Sequence, residues 1–293
     1  MKLAIIDFSP IVFAQYYGHV ARDEDLETTQ DKIKFLQLMI LTKLCDIQKQ
    51  VKANKSILAF DYGSWRKQEF TYYKAKRKEK KADKALDYEI IETAMKELYP
   101  ILQEETNYQC IRLYNAEADD IIAVIVDYFR DDTTLEHIYI VSSDKDFQQL
   151  TDDKVQLYDY KQDKIITCED REVFKIKMLL SGDSSDGVPN VLSDDDVFVD
   201  TNKRQKACGE KKIQKILSEG LDNLLKDEQI KKNYERNKKM ILLTKEFIPK
   251  EIWNNILAQV KAPTGKRLTS FQIINNLRKY NFDGLMSRVN DMV

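Results

Sequence analysis

Three of the four short apolar runs in the first half of this chain end in an aspartate or reach one within three residues. Leu-Ala-Ile-Ile runs into Asp7, Ile-Leu-Ala-Phe into Asp61, and Ile-Tyr-Ile-Val into Ser142-Ser143-Asp144-Lys145-Asp146. Runs of this length read as strands. Between them lie helix-period patterns over 31–51, over 86–102 with an end near Pro100, and over 117–129 with Asn115 as candidate cap. Strands alternating with helices predict an α/β fold with a central, mostly parallel sheet flanked by helices. Ligands bind such sheets beyond the carboxyl ends of the strands. The aspartates therefore arrive together at one rim. A further run, Cys110–Tyr114, delivers Glu117, Asp119 and Asp120 to the first turn of the next helix.

So many acids at one rim repel one another unless cations intervene. Oxygen donors suit hard divalent ions. The expected ligands are Asp7, Asp61, Glu117, Asp119, Asp144 and Asp146, joined by Asp183 and Asp186 from the turn-rich Ser-Gly-Asp-Ser-Ser-Asp-Gly. Two such ions are a standard device for in-line attack on a phosphodiester. Asp120 points about 100° away from Asp119 on a helix and reads as a supporting or capping acid. Ser142 and Ser143 read as turn or cap residues, and Asp152, Asp153 and Asp194–Asp196 as solvated loop acids, the last being the best candidate for a flexible loop.

Composition closes off other chemistries. Eight glycines form neither G-x-G-x-x-G nor a Walker A loop. His19 and His137 are the only histidines, which disfavours a histidine triad or a histidine-rich zinc site. The four cysteines lack C-x-x-C spacing and read as reduced thiols of a cytoplasmic protein. No run of 18 apolar residues predicts a membrane span. The opening strand, cut short by Asp7, is not the pattern of a signal peptide.

The net charge of −2 hides two basic blocks. Residues 66–84 carry nine Lys/Arg against three Asp/Glu, and residues 203–239 twelve against six. In the first block cations alternate with aromatic rings: Trp65, Arg66, Lys67, Tyr72, Tyr73, Lys74, Lys76, Arg77, Lys78, Lys80 and Lys81. Cations track phosphates and rings stack on bases, which suits a single strand or frayed end. Lys74 and Arg77, three apart, are expected to share a helix face. Val155–Tyr158 and Lys164–Thr167 read as a hairpin, and beyond about residue 172 helical patterns dominate. The expected division is 1–172, with a basic arch over about 64–86, and 173–293 as a helical module.

These motifs resemble, in order and spacing, the 5′-nuclease or flap endonuclease family, and within it the phage ribonuclease H branch. The matching strings are Ile5-Ile6-Asp7-Phe8-Ser9, Phe60-Asp61, Trp65-Arg66 through Arg77, Glu117-Ala118-Asp119-Asp120, Ser142 through Leu150, and Gly182-Asp183-Ser184-Ser185-Asp186-Gly187-Val188-Pro189. The resemblance covers residues 1 to about 220. It implies a PIN-like sheet, an arch and a helix-hairpin module. It also implies a 5′→3′ nuclease that removes RNA primers and 5′ flaps during replication with two Mg²⁺ ions, Mn²⁺ being able to substitute.

On that resemblance Asp7, Asp61, Glu117 and Asp119 hold the first ion. Asp144, Asp146, Asp183 and Asp186 are associated with the second. Lys74, Arg77 and Arg66 draw in the scissile phosphate, and Tyr73 stacks on a terminal base. Lys211 and Lys212 open a helix that grips duplex phosphates.

One departure stands out. Asn190 to Cys208, with its acidic run, replaces the Gly-Ile-Gly turn by which relatives bind a monovalent ion. The implied substrates are DNA and RNA–DNA duplexes with a 5′ end or flap. A single-stranded DNA-binding protein and a sliding clamp are possible partners of a monomer with no membrane role. Rival readings are a PIN-type endoribonuclease, a catalytically silent DNA-structure binder, and a carboxylate phosphatase. Asp7-Phe8-Ser9 argues against the last, which needs D-x-D after the first strand.

Overall fold

The computed structural model describes residues 1–77, 84–263 and 267–292. Lys78, Lys80 and Lys81 of the expected arch lie outside the described residues.

Strand β1 (Lys2–Asp7) forms the middle of a six-stranded sheet. β2 (Lys55–Phe60) and β4 (His137–Val141) flank it in parallel, with Ile5 facing Ile57 on one side and Ile140 on the other. β3 (Gln109–Arg112) adds in parallel outside β2, and β5 (Val155–Asp159) outside β4. β6 (Lys164–Ile166) closes the expected hairpin antiparallel to β5. Burial along β1 and β2 is nearly unbroken, as a sheet covered on both faces requires. The chain builds outward from β1 in one direction and from β4 in the other. The β1/β4 junction is therefore the switch point where such sheets open a crevice.

One face is covered by helices Thr29–Val51 and Ala85–Glu104, the other by Ala118–Phe129. Thr28 and Asp31 form a capping box that starts the first of these. The second does not end near Pro100 but continues to Glu104. Proline removes one backbone donor, yet buried Leu98, Ile101 and Leu102 hold the turn against the core. The third is capped by Glu117 and not by Asn115, which sits at φ 64° in the loop before it.

The helices beyond residue 170 are Arg171–Ser181, Glu210–Glu219, Leu221–Leu224, Glu228–Ile241, Lys250–Lys261 and Ser270–Arg278, then the 3-10 segment Asp283–Met292. Among the described residues none is long and apolar enough to cross a membrane. They do not share one core. Met178 to Leu242 form a third apolar cluster with Trp65, Phe70 and Tyr73. Trp253, Ile256 and Val260 return to the face of helix Ala118–Phe129. Ile273, Leu277, Phe282, Leu285 and Val289 return to that of Thr29–Val51. The division into cores thus does not follow residue 172.

The acidic run is held, not free. Arg236 pairs with Asp195 and donates to the Pro189 carbonyl at 2.8 Å, and Lys203 pairs with Asp196 at 2.8 Å. Asn233 donates to the carbonyls of Val191 and Ser193, and Asn237 to those of Leu179 and Pro189. Asn233, Arg236 and Asn237 recur at the spacing of one helix face, so one side of Glu228–Ile241 clamps the whole 189–196 segment.

Candidate active site

All eight expected acids line one cleft of about 770 Å³ at the carboxyl ends of β1, β2 and β4. Asp7 closes β1, and Ser142, just past β4, donates to Asp7 Oδ2 at 2.8 Å while accepting from the Asp144 amide at 3.1 Å. The turn role expected of Ser142 thus joins the two strand ends at the switch point. Asp61 accepts from the Ala118 amide at 2.9 Å, which aims the helix start carrying Glu117 and Asp119 at the cleft. Asp144 caps the 3-10 turn Lys145–Leu150 through the Asp146 amide. Asp183 accepts from Ser185 N and Oγ, which shapes the last acidic turn.

That turn is bound to the basic segment. The Lys74 amide donates to the Asp186 carbonyl at 2.7 Å. Gly187, at φ 76°, lies so close that a Cβ there would meet the Tyr72 carbonyl oxygen at 2.8 Å. Lys74 itself sits at φ 54° in a turn outside any helix, so it and Arg77 do not share a helix face. They converge anyway. Lys74 pairs with Glu117 and, at 3.2 Å, with Asp186, while Arg77 pairs with Asp186. The two cations expected on a phosphate here neutralise the acids.

Three residues expected to touch nucleic acid are buried. Arg66 is 2% exposed. Its Nη1 reaches Glu117 and Asp120 at 3.1 Å, its Nη2 lies 2.9 Å from Asp120, and its Nε donates to the Met240 carbonyl at 2.9 Å. Its guanidinium is buried against these acids. Trp65 is buried, with Nε1 donating to Asp120 at 3.1 Å, so it cannot stack on a base. The Tyr73 hydroxyl lies 2.9 Å from Glu117 Oε2 and 2.7 Å from Asp186 Oδ2 and can donate its single proton to one of them at a time. Asp120 is fully buried and completes a capping box with Glu117. Lys67 lines the cleft; Lys76 is exposed and Tyr72 half-buried outside its lining. Lys211 and Lys212 are exposed in the first turn of Glu210–Glu219. Tyr88, Glu92 and Met95 form a wall the strand-end logic missed, since they come from a helix crossing the rim.

Burial, then repulsion from Asp61 and Asp144, pushes Asp7 up to about 8. Burial, then Asp144, Asp183 and Asp186, pushes Asp146 up to about 7. Asp119 is raised by burial and by Asp7, Asp144 and Glu117. Glu117 is the exception. Burial would raise it, but the Lys74 and Arg66 cations hold it below its ordinary range.

Among the described residues no three Asp, Glu, His or Cys side chains close into a ready-made ion cage. The donor set is nevertheless all carboxylate, with protons retained against strong mutual repulsion, and this fits hard divalent cations. A measurable consequence follows from the sign of the shifts. Asp7 and Asp146 rise above their ordinary 3.8, so between about pH 4 and 8 the folded chain keeps protons that the unfolded chain releases. Stability without divalent ions should fall as pH rises through that window. Melting temperature in EDTA should drop from about pH 5 to about pH 8, and Mg²⁺ should restore it most at the high end. A flat profile, or no effect of Mg²⁺, would mean the acids do not share a cleft.

The fold thus builds an acid-lined crevice at the switch point of a parallel sheet, with lysine and arginine set among the acids. The family model described as "5'-3' exonuclease, N-terminal resolvase-like domain" matches residues 2–177, and the chain belongs to that family. It is 28% identical over 195 residues to a 5'-3' exonuclease of Buchnera aphidicola subsp. Acyrthosiphon pisum, covering 64% of each. It is 34% identical over 143 residues to DNA polymerase I of Rhizobium leguminosarum, covering 45% of this chain and 13% of the polymerase. The matched regions thus span less than two thirds of both relatives. The fold is shared with a bacteriophage T5 flap endonuclease variant solved with DNA and metal ions, at TM-score 0.66 and 17% identity over 89% of this chain and 100% of that one. It is shared also with T5 5'-exonuclease bound to zinc, at TM-score 0.57 and 18% identity over 100% of this chain and 99% of that one.

Proposed function

We propose that this chain is a Mg²⁺-dependent, structure-specific 5′ nuclease that hydrolyses phosphodiesters near the 5′ end or flap of duplex DNA and RNA–DNA hybrids, removing primers and flaps in replication. The observation that carries this is the meeting of eight carboxylates with Lys74 and Arg77 in one cleft. Asp7, Asp61, Glu117 and Asp119 would hold one ion, and Asp144, Asp146, Asp183 and Asp186 a second. Bound Mg²⁺ supplies charge neutralisation at the phosphodiester and a more acidic water.

The chain's own residues do the rest. In the free protein Lys74 and Arg66, helped by Tyr73, keep Glu117 ionised and oriented. Lys74 and Arg77 pair with acids in the free protein and turn to the scissile phosphate when it enters. Lys74→Ala should therefore cut the single-turnover rate about 10²–10³-fold with little change in affinity, by analogy with losing one oxyanion donor. Equal loss of affinity would reassign it to general attraction. Exposed Lys211 and Lys212 are assigned to duplex phosphates. Replacing both with Ala should lower the slope of log affinity against log salt by up to about two units; an unchanged slope places duplex contact elsewhere.

The deciding experiment is digestion of end-labelled flap, nicked, hybrid and single-stranded substrates with and without Mg²⁺. Product sizes separate exonuclease from flap cutting. Binding without cleavage on every substrate would favour the silent DNA-structure binder. Cleavage confined to single-stranded RNA would favour a PIN-type endoribonuclease.

A further inference from the structure

Two large aromatic side chains stand exposed beside the cleft without a core to join. Tyr114 is 74% exposed and Tyr62 is 44% exposed. Their rings meet at 5.6 Å with planes at 80°. The Arg112 guanidinium lies 3.9 Å from the Tyr62 ring centre, and its Nε has no hydrogen-bond partner among the described residues. All three come from the carboxyl ends of β2 and β3, the rim that carries the acids. Tyr62 directly follows Asp61, and Gly63 after it lines the cleft. Tyr114 precedes Glu117 by three residues.

The two loops are braced against each other. Tyr62 N donates to the Ala116 carbonyl at 3.0 Å, Asn115 N to the Tyr62 carbonyl at 2.7 Å, and Trp65 N to the Asn115 carbonyl at 2.9 Å. The rings therefore stand on fixed backbone, so a ligand meets a platform already formed. Exposed rings of this size gain little from folding, whereas a flat π-face beside a cation suits a nucleobase.

Resting on the nuclease reading of the adjoining cleft, we propose that Tyr62, Tyr114 and Arg112 form a stacking platform for an unpaired base of the substrate just outside the cleft. The sequence reading gave base stacking to Trp65, Tyr72 and Tyr73; Trp65 and Tyr73 are buried, and Tyr72 is half-buried outside the cleft lining. Tyr114 caps the stack, Tyr62 supports it edge-on, and Arg112 supplies positive charge beneath.

The test measures binding of flap substrates, in Ca²⁺ to suppress cleavage, with one abasic site stepped through the unpaired strand. In the parent protein one position should show about 5- to 160-fold weaker binding when abasic, the range for one base stacked on a ring. Tyr114→Ala should lose a similar factor on the intact flap and show no further loss at that abasic position. Tyr114→Trp should restore binding. Tyr128→Ala, an exposed tyrosine at the far end of helix Ala118–Phe129, serves as the control and should bind as the parent. If the parent binds flaps and Tyr114→Ala binds them equally well, or keeps the full abasic penalty, the platform is refuted and the nuclease reading stands. If the parent binds no nucleic acid at all, both fall.

Discussion

Asp119→Asn is expected to lose more than about 10³-fold in single-turnover cleavage while binding substrate as tightly as the parent or more so, since losing one charge-stabilising donor alone commonly costs about 10²–10³. Asp119 sits in the first helical turn, two residues after Glu117 and close enough to Asp7 and Asp144 to feel their charge. The amide keeps the shape but removes the negative charge that a divalent ion would need. Removing negative charge near phosphates cannot weaken their attraction. Relieving the same repulsion should leave melting temperature in EDTA unchanged or higher, which separates lost chemistry from lost fold. Asp127→Asn, exposed on the same helix, should keep the parent rate. Asp144→Asn should behave as Asp119→Asn does, because it stands on a different strand end yet lines the same cleft. Near-parent turnover of either acid variant in saturating Mg²⁺ would remove it from the site.

The sheet was legible because its signal is local. An apolar run of four or five residues closed by an acid declares both a strand and which of its ends faces the cleft. Alternation with helices then leaves little choice but a parallel sheet. All eight acids could be named this way, since each follows a strand, starts a helix or sits in a turn.

The cationic segment was not legible for the opposite reason. Whether Arg66 reaches outward or inward depends on the Met240 carbonyl, 174 residues away, and on Asp120. No periodicity carries that information. Likewise an amphipathic tail helix says it has a partner, not which. Val260 and Ile273 lie thirteen residues apart and join opposite faces of the sheet. The clamp on the acidic run had a signal in the spacing of Asn233, Arg236 and Asn237. It went unread because polar residues on a helix are ordinarily taken for its wet side.

Arg66→Met should cost about 3–5 kcal/mol of folding stability, because it leaves buried carboxylates without their cation. Among the described residues Asp120 would lose its only ion pair, and Glu117 one of two, Lys74 remaining. The loss also cuts the Nε bond to the Met240 carbonyl, which ties helix Glu228–Ile241 to the start of helix Ala118–Phe129. Arg66→Lys should recover only part of the stability, since one ammonium cannot reproduce donation to Glu117, Asp120 and Met240 together. Adding Asp120→Leu to Arg66→Met should recover part of it by another route, as removing the orphaned charge is cheaper than burying it. Urea unfolding of the four proteins, with the slope of free energy against urea held as a check on the transition, measures this directly. The same series decides between the two roles for Arg66. A phosphate contact predicts parent-like unfolding and weaker substrate binding. A buried brace predicts loss of stability first, with activity lost in Arg66→Met but returning in Arg66→Lys as far as stability does. Parent-like unfolding of Arg66→Met would overturn the brace and return Arg66 to the substrate.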